Sequence, residues 1–141
     1  MNGFLGTSAG ISADLSLLSS AIFWIIALFG AIQARRKQFS KHCPVMPWAA
    51  LLNWIPVLFV MVPTAWSVLM GGSTGQSSLL PLVHGVLGGI TQFLMTYTVI
   101  RMYWIKTLPP SQPIWLMRTT ILLWTLTLIG GVVVYTSLYI A

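Results

Sequence analysis

Four long apolar runs, separated by short polar or proline-bearing connections, organise the chain from end to end. The first, Leu15 to Gln33, carries no charge and is long enough to cross a hydrocarbon layer of about 30 Å as a helix. Arg35, Arg36, Lys37 and Lys41 follow it as a basic turn. A second run extends from about Met46 to Leu69, and the uncharged stretch Gly71 to Ser78 reads as a flexible loop. The third run covers about Leu79 to Tyr103. Pro109, Pro110 and Pro113 separate it from the fourth, about Ile114 to Tyr139. None of the runs alternates with period two, and each is about twice the length of an outer-membrane barrel strand. The pattern predicts an all-α integral membrane fold. It is a four-transmembrane-helix bundle with short loops and helices at about 15–33, 46–69, 79–103 and 114–139, forming a single membrane domain over 1–141.

Charge orients the bundle. All seven basic residues lie in, or at the ends of, the two connections that a four-span chain puts on one side of the membrane. By the positive-inside rule that side is cytoplasmic, so both termini and the Gly-Ser loop are expected on the outer, periplasmic side. The expected location is the bacterial cytoplasmic (inner) membrane, as a multi-pass protein. No Lys or Arg precedes the first apolar run, so a cleaved signal peptide is not expected. Trp48, Trp104, Trp115, Tyr97, Tyr103, Tyr135 and Tyr139 fall near span ends, as interfacial belts do.

Composition narrows the chemistry. Charged residues make up 6% of the 141 positions, against about 25% in soluble domains. A water-soluble domain is excluded, and 57% apolar content excludes disorder. The single cysteine, Cys43, rules out a disulfide framework. The single acid, Asp14, rules out paired-carboxylate catalysis and a calcium site. The basic residues are too few and too apolar in context for nucleic acid. No recognised catalytic constellation is present, so the chain is not expected to be an enzyme.

Polar groups inside the spans are the candidates for function, because hydrocarbon makes them costly. His84 opens the third helix, with Gly88, Gln92 and Thr96 following at i+4 spacing. Gly85 and Gly89 form a GxxxG beside that stripe, and with Gly88 they predict a close helix seam. Gly130 and Gly131 read as close packing in the fourth helix. His84 could ligate haem b, with Met61 or Met70 opposite, or hydrogen-bond as an ordinary helix-end histidine. Asp14 suits a helix N-terminus, and at the same membrane face it could pair with His84. His42 belongs to the cytoplasmic basic turn, among headgroups. Pro56 and Pro63 should kink the second helix beside Asn53, and a quinone or lipid cleft there is the functional alternative to plain packing.

These motifs add up to a resemblance. Lys41-His42-Cys43-Pro44-Val45-Met46, His84-Gly85-Val86-Leu87-Gly88, Trp124 and Gly131-Val132-Val133-Val134-Tyr135 occur in that order. The chain resembles a small bacterial four-helix membrane protein family of unknown function that includes a haem-A cytochrome oxidase maturation factor. It has His42-Cys43 where that family has His-Arg, and Ser111-Gln112-Pro113 where a further histidine is usual. The resemblance implies a setting in respiratory or photosynthetic electron transfer. The leading expectation is an accessory subunit or assembly factor of such a complex, in contact with its other membrane subunits and with lipids, and requiring no cofactor. The alternative is a haem-b or quinone-binding redox protein using His84. A small transporter ranks last, since only Asn53 and Gln92 offer polar groups at mid-membrane.

Overall fold

The computed structural model describes residues 3–70, 79–103 and 111–140. The Gly-Ser loop at 71–78, Trp104, Lys106, Pro109 and Pro110 lie outside the described residues. Four long helices carry the chain: α1 (Ile11–Arg35), α2 (residues 39–69), α3 (Leu79–Tyr103) and α4 (Ser111–Tyr139), with no strands among the described residues. They neighbour one another in a ring, α1 against α2 and α4, and α3 against α2 and α4. All four are long and apolar enough to span a bilayer, which makes the chain a multi-pass membrane protein by length and composition.

Three helices start earlier than their apolar runs, α4 among them, at Ser111 rather than Ile114. α1 begins at Ile11 rather than Leu15, because Gly10 stands extended at its N-cap (φ −72°, ψ 155°) and Asp14 falls in the first turn. α2 begins at Phe39 rather than Met46, which draws Lys41 and His42 into the helix. The turn between them is therefore tight. The Gln38 N–H bonds the Gln33 carbonyl at 2.9 Å and the Lys37 N–H bonds the Ala34 carbonyl at 3.0 Å, the double closure of a Schellman cap. That cap puts Lys37 in the left-handed region at φ 57°, where glycine is favoured. Lys37→Gly should raise resistance to thermal unfolding in detergent by about 1 kcal/mol. An unchanged midpoint would mean the turn frays before the bundle does.

Proline shapes α2. The helix consists of Phe39–Leu52, Trp54–Pro56 and Val62–Leu69, with a π-helical turn at Val57–Met61. Pro56 and Pro63 have no N–H to donate, and each ring crowds the carbonyl four residues back. For Pro63 that carbonyl is Phe59, inside the π turn. Widening the helix there removes the clash and moves the following segment sideways.

The bundle is polar within and apolar outside. The buried positions of α1 are Asp14, Ser16, Ser20, Ala27, Gly30 and Gln33, and those of α3 are Gly88, Thr91, Gln92, Met95 and Thr98. Phe59 and Phe93 instead stand 76% and 69% exposed, facing where lipid would be. Lipid tails are as apolar as leucine, so helices associate through small residues and hydrogen bonds. Trp24 Nε1 donates to Thr125 Oγ1 at 3.0 Å, joining α1 to α4. Trp54 Nε1 donates to Thr96 Oγ1 at 3.0 Å, joining α2 to α3, and the Thr91 and Thr127 hydroxyls meet at 3.0 Å between α3 and α4.

Candidate functional site

A cavity of about 170 Å³ lies between the four helices, towards the end where α1 begins and α4 finishes. Each helix contributes polar side chains to its lining: Ser20 from α1, Asn53 from α2, His84 and Gln92 from α3, Thr127 from α4. The π turn also borders it through Val57, Val60 and Met61, so the sideways step in α2 helps make the space.

Gln92 forms the floor and is 1% exposed. Its Nε2 donates to the Ala50 carbonyl at 3.0 Å, and its Oε1 accepts from Asn53 Nδ2 at 2.8 Å. The Ala50 carbonyl fixes both amides, since only an N–H can point at it. Asn53 is therefore left with its acceptor, Oδ1, buried and unpaired.

His84 forms one wall, flat against the glycine pair of α4. A Cβ on Gly131 would stand 3.2 Å from the ring's Cε1, and one on Gly130 would stand 3.4 Å from Nδ1. Gly130 and Gly131 do mark a close approach, and the imidazole is what approaches. His84 Nδ1 is buried without a partner, as is Ser20 Oγ on the facing helix. Three unpaired polar atoms on three helices thus belong to side chains around one cavity.

The roof is built on Asp14, which is 0% exposed. Residues 3–10 fold back as a strap, and the Leu5 N–H donates to Asp14 Oδ2 at 3.0 Å. The Tyr135 hydroxyl donates to Asp14 Oδ1 and also meets Thr7 Oγ1 at 2.7 Å. Ser8 Oγ donates to the Tyr139 carbonyl at 3.1 Å, closing the strap onto the end of α4.

Several expectations need correction. Asp14 and His84 do not pair: Asp14 meets Tyr135, whereas His84 meets Gly131, one helical turn or about 6 Å deeper on α4. Tyr135 is buried as that partner and is no part of an interfacial belt. The Gly85/Gly88/Gly89 seam is reduced to Gly88, whose Cβ would stand 3.5 Å from the Thr127 methyl, while Gly85 and Gly89 face nothing within 4 Å. Met61 borders the cavity, but Met70 is 67% exposed and outside its lining. His42 is buried, and its Nδ1 bonds the Gly30 carbonyl at 2.8 Å, so it ties α2 to α1 instead of sitting among headgroups. Arg35, Arg36, Lys37 and Lys41 are exposed at that same end of the bundle.

Sequence reasoning passed over Ser20, Thr7 and Thr127. Ser16 and Ser20, at i+4 spacing in α1, were the available signal for an inward polar face. A second cavity, of about 300 Å³, lies at the basic end and is lined by Met46, Met95, Met102 and Met117 beside His42. No family model, curated protein or solved structure matches this chain.

Proposed function

We propose that the protein is a small integral membrane accessory subunit or assembly factor of a respiratory or photosynthetic electron-transfer complex. It acts by contact and not by a reaction of its own. The observation that supports this reading is the uncovered small-residue position on α3. A Cβ at Gly89 would meet nothing within 4 Å, and the flanking Val86 and Phe93 are 57% and 69% exposed. A bare glycine between apolar side chains lets another helix's backbone come close, which is how association is driven in lipid. The electron-transfer setting comes from the resemblance carried by the His42 and His84 segments.

The test is to purify the tagged chain from its own membranes in mild detergent and identify what accompanies it. Gly89→Leu should leave the chain folded and strip away its companions, whereas Val86→Leu should retain them. A wild-type chain that migrates alone would overturn the proposal. The orientation, with the basic turns in the cytoplasm, is tested by alkaline phosphatase fused within the 71–78 loop. Phosphatase activity is expected there, and an inactive fusion would reverse the topology.

A second reading, ligand binding at His84, is favoured by the unpaired Nδ1 of a histidine that lines a cavity. A cavity of about 150 Å³ accommodates benzene, so the space beside His84, about 170 Å³, has room for one six-membered ring.

A further inference from the structure

We propose that the cavity beneath the strap is a slot for one acyl chain of a membrane phospholipid, which enters from the bilayer between α2 and α3. The proposal goes beyond the subunit reading and stands whether or not the protein belongs to a complex.

The surface that the slot offers is mainly hydrocarbon, although many of its residues are polar. Thr64 Oγ1 donates to the Val60 carbonyl at 2.7 Å, Thr91 Oγ1 to the Leu87 carbonyl at 2.8 Å and Thr127 Oγ1 to the Leu123 carbonyl at 2.9 Å. These hydroxyls are spent on their own helices. Both ends of the Gln92 amide are committed to α2. The unpaired Asn53 Oδ1, His84 Nδ1 and Ser20 Oγ are covered by neighbouring atoms, so a molecule in the cavity does not meet them. Leu17, Val57, Val60, Leu82, Leu128 and Val134 supply apolar lining. Water is poorly served there, since a buried water needs roughly two to four polar partners.

Shape selects a chain. Leu82 on α3 and Thr64 on α2 line the cavity and also stand exposed on the outside of the bundle, which places a mouth between those helices. From Leu82 the lining continues along α3 to Gln92, ten residues or about 15 Å. From Thr64 it continues back along α2 to Asn53, eleven residues or about 16 Å. About 170 Å³ drawn out over that length is a slot for one chain and not a chamber. Its direction suits a lipid as well. The mouth lies three residues into α3, near the end of the bundle, and the closed end lies at Gln92, in the middle of that helix. An acyl chain in a bilayer already runs that way, from head group to midplane.

The driving force follows from the surroundings. A tail moving from the bilayer into the slot gains nothing from the hydrophobic effect, because both are hydrocarbon. The gain is contact. An empty slot leaves its lining without partner atoms and forfeits their dispersion energy, and a chain restores it. Binding therefore depends on fit, and a side chain that fills the slot should abolish it.

The purified full-length protein is reconstituted into phosphatidylcholine vesicles with a trace of phosphatidylcholine that carries a diazirine at the end of one acyl chain. After irradiation the labelled residues are located by mass spectrometry. Label is expected at Val57 and Gln92, which line the slot and are only 8% and 1% exposed, as well as at the lipid-facing Phe59 and Phe93. Ser20→Leu fills the slot and removes an unpaired hydroxyl. It should cut the label at Val57 and Gln92 at least tenfold and leave Phe59 and Phe93 unchanged. Ala13→Leu, which narrows the slot nearer the strap, should do the same and covers the case in which Ser20→Leu does not fold. Label confined to the lipid-facing positions would overturn the proposal. So would undiminished label at Val57 and Gln92 in a folded slot-filling variant. Displacement of that label by a trace of an isoprenoid alcohol would give the slot to a different ligand and overturn it too.

Discussion

Asp14→Ala should destabilise the protein by about 3 kcal/mol, one of the two largest effects expected of a single substitution here. A carboxylate with no exposed surface is tolerable only while its oxygens are hydrogen-bonded, and Asp14 takes one bond from the Leu5 N–H and one from the Tyr135 hydroxyl. Bonds to an ionised acceptor contribute about 1.5–3 kcal/mol each, and removing the side chain loses both. Tyr135 keeps Thr7 as a partner, but the Leu5 N–H is left with none among the described residues, which keeps the estimate near the sum of one strong and one partial loss. Asp14→Asn retains one acceptor and turns a donor towards a donor at the other position, so it should fall between Ala and wild type. Tyr135→Phe should lie close to Asn. Reversible unfolding in mixed micelles orders the three variants. An Asp14→Ala protein as stable as the wild type would mean that the strap contributes nothing to the folded state.

Gly3→Ala tests the same strap without touching the acid. A Cβ there would overlap Asp14 Oδ2 and press on the Ala9 carbonyl, which the Gly3 N–H bonds at 2.7 Å. The strap has to lift for alanine to fit. Hydrogen exchange at Leu5 should then rise as it does in Asp14→Ala, with α1 to α4 unchanged.

The parts of this fold that were readable in the sequence are those that depend on one helix at a time. Apolar runs marked the four spans, because a bilayer demands length and hydrocarbon and little else. Pro56 and Pro63 marked the irregular part of α2, because a missing N–H acts within its own turn. Inward-facing positions were readable too: the stripe from His84 through Gly88 and Gln92 faces the bundle interior. Partners were not readable. Asp14 and Tyr135 are 121 residues apart, and which tyrosine reaches the acid depends on the register of α1 against α4. Gly130 and Gly131 announced a close contact without saying that an imidazole would fill it. His42 looked like a headgroup histidine because its run of neighbours is basic. Its burial follows from the α1–α2 crossing at Gly30, where a Cβ would come within 2.8 Å of the Met46 sulfur. Helix starts were misjudged for a related reason. Charge ended the apolar runs, but a helix can carry Lys41 and Asp14 in its first turns when their heads find water or a partner.

Gln92→Leu should cost about 2 kcal/mol, and its chief consequence should appear in α2. The substitution keeps the volume roughly constant and removes the only partners, among the described residues, of Asn53 Nδ2 and, outside the helix, of the Ala50 carbonyl. Asn53 would then be left with both ends of its amide unpaired, since Oδ1 already has no partner. Desolvation of an unsatisfied polar group costs about 1–3 kcal/mol, but in membranes side-chain bonds between helices average nearer 0.6, so the loss should be smaller than in a water-soluble core. Removing both partners, in Asn53→Leu with Gln92→Leu, should recover much of the stability, because no buried amide is then left alone. The double-mutant cycle should accordingly give a coupling of about 1–2 kcal/mol. Additive losses would show that Asn53 and Gln92 are solvated separately, and the fixed orientation of Asn53 Oδ1 would go with them.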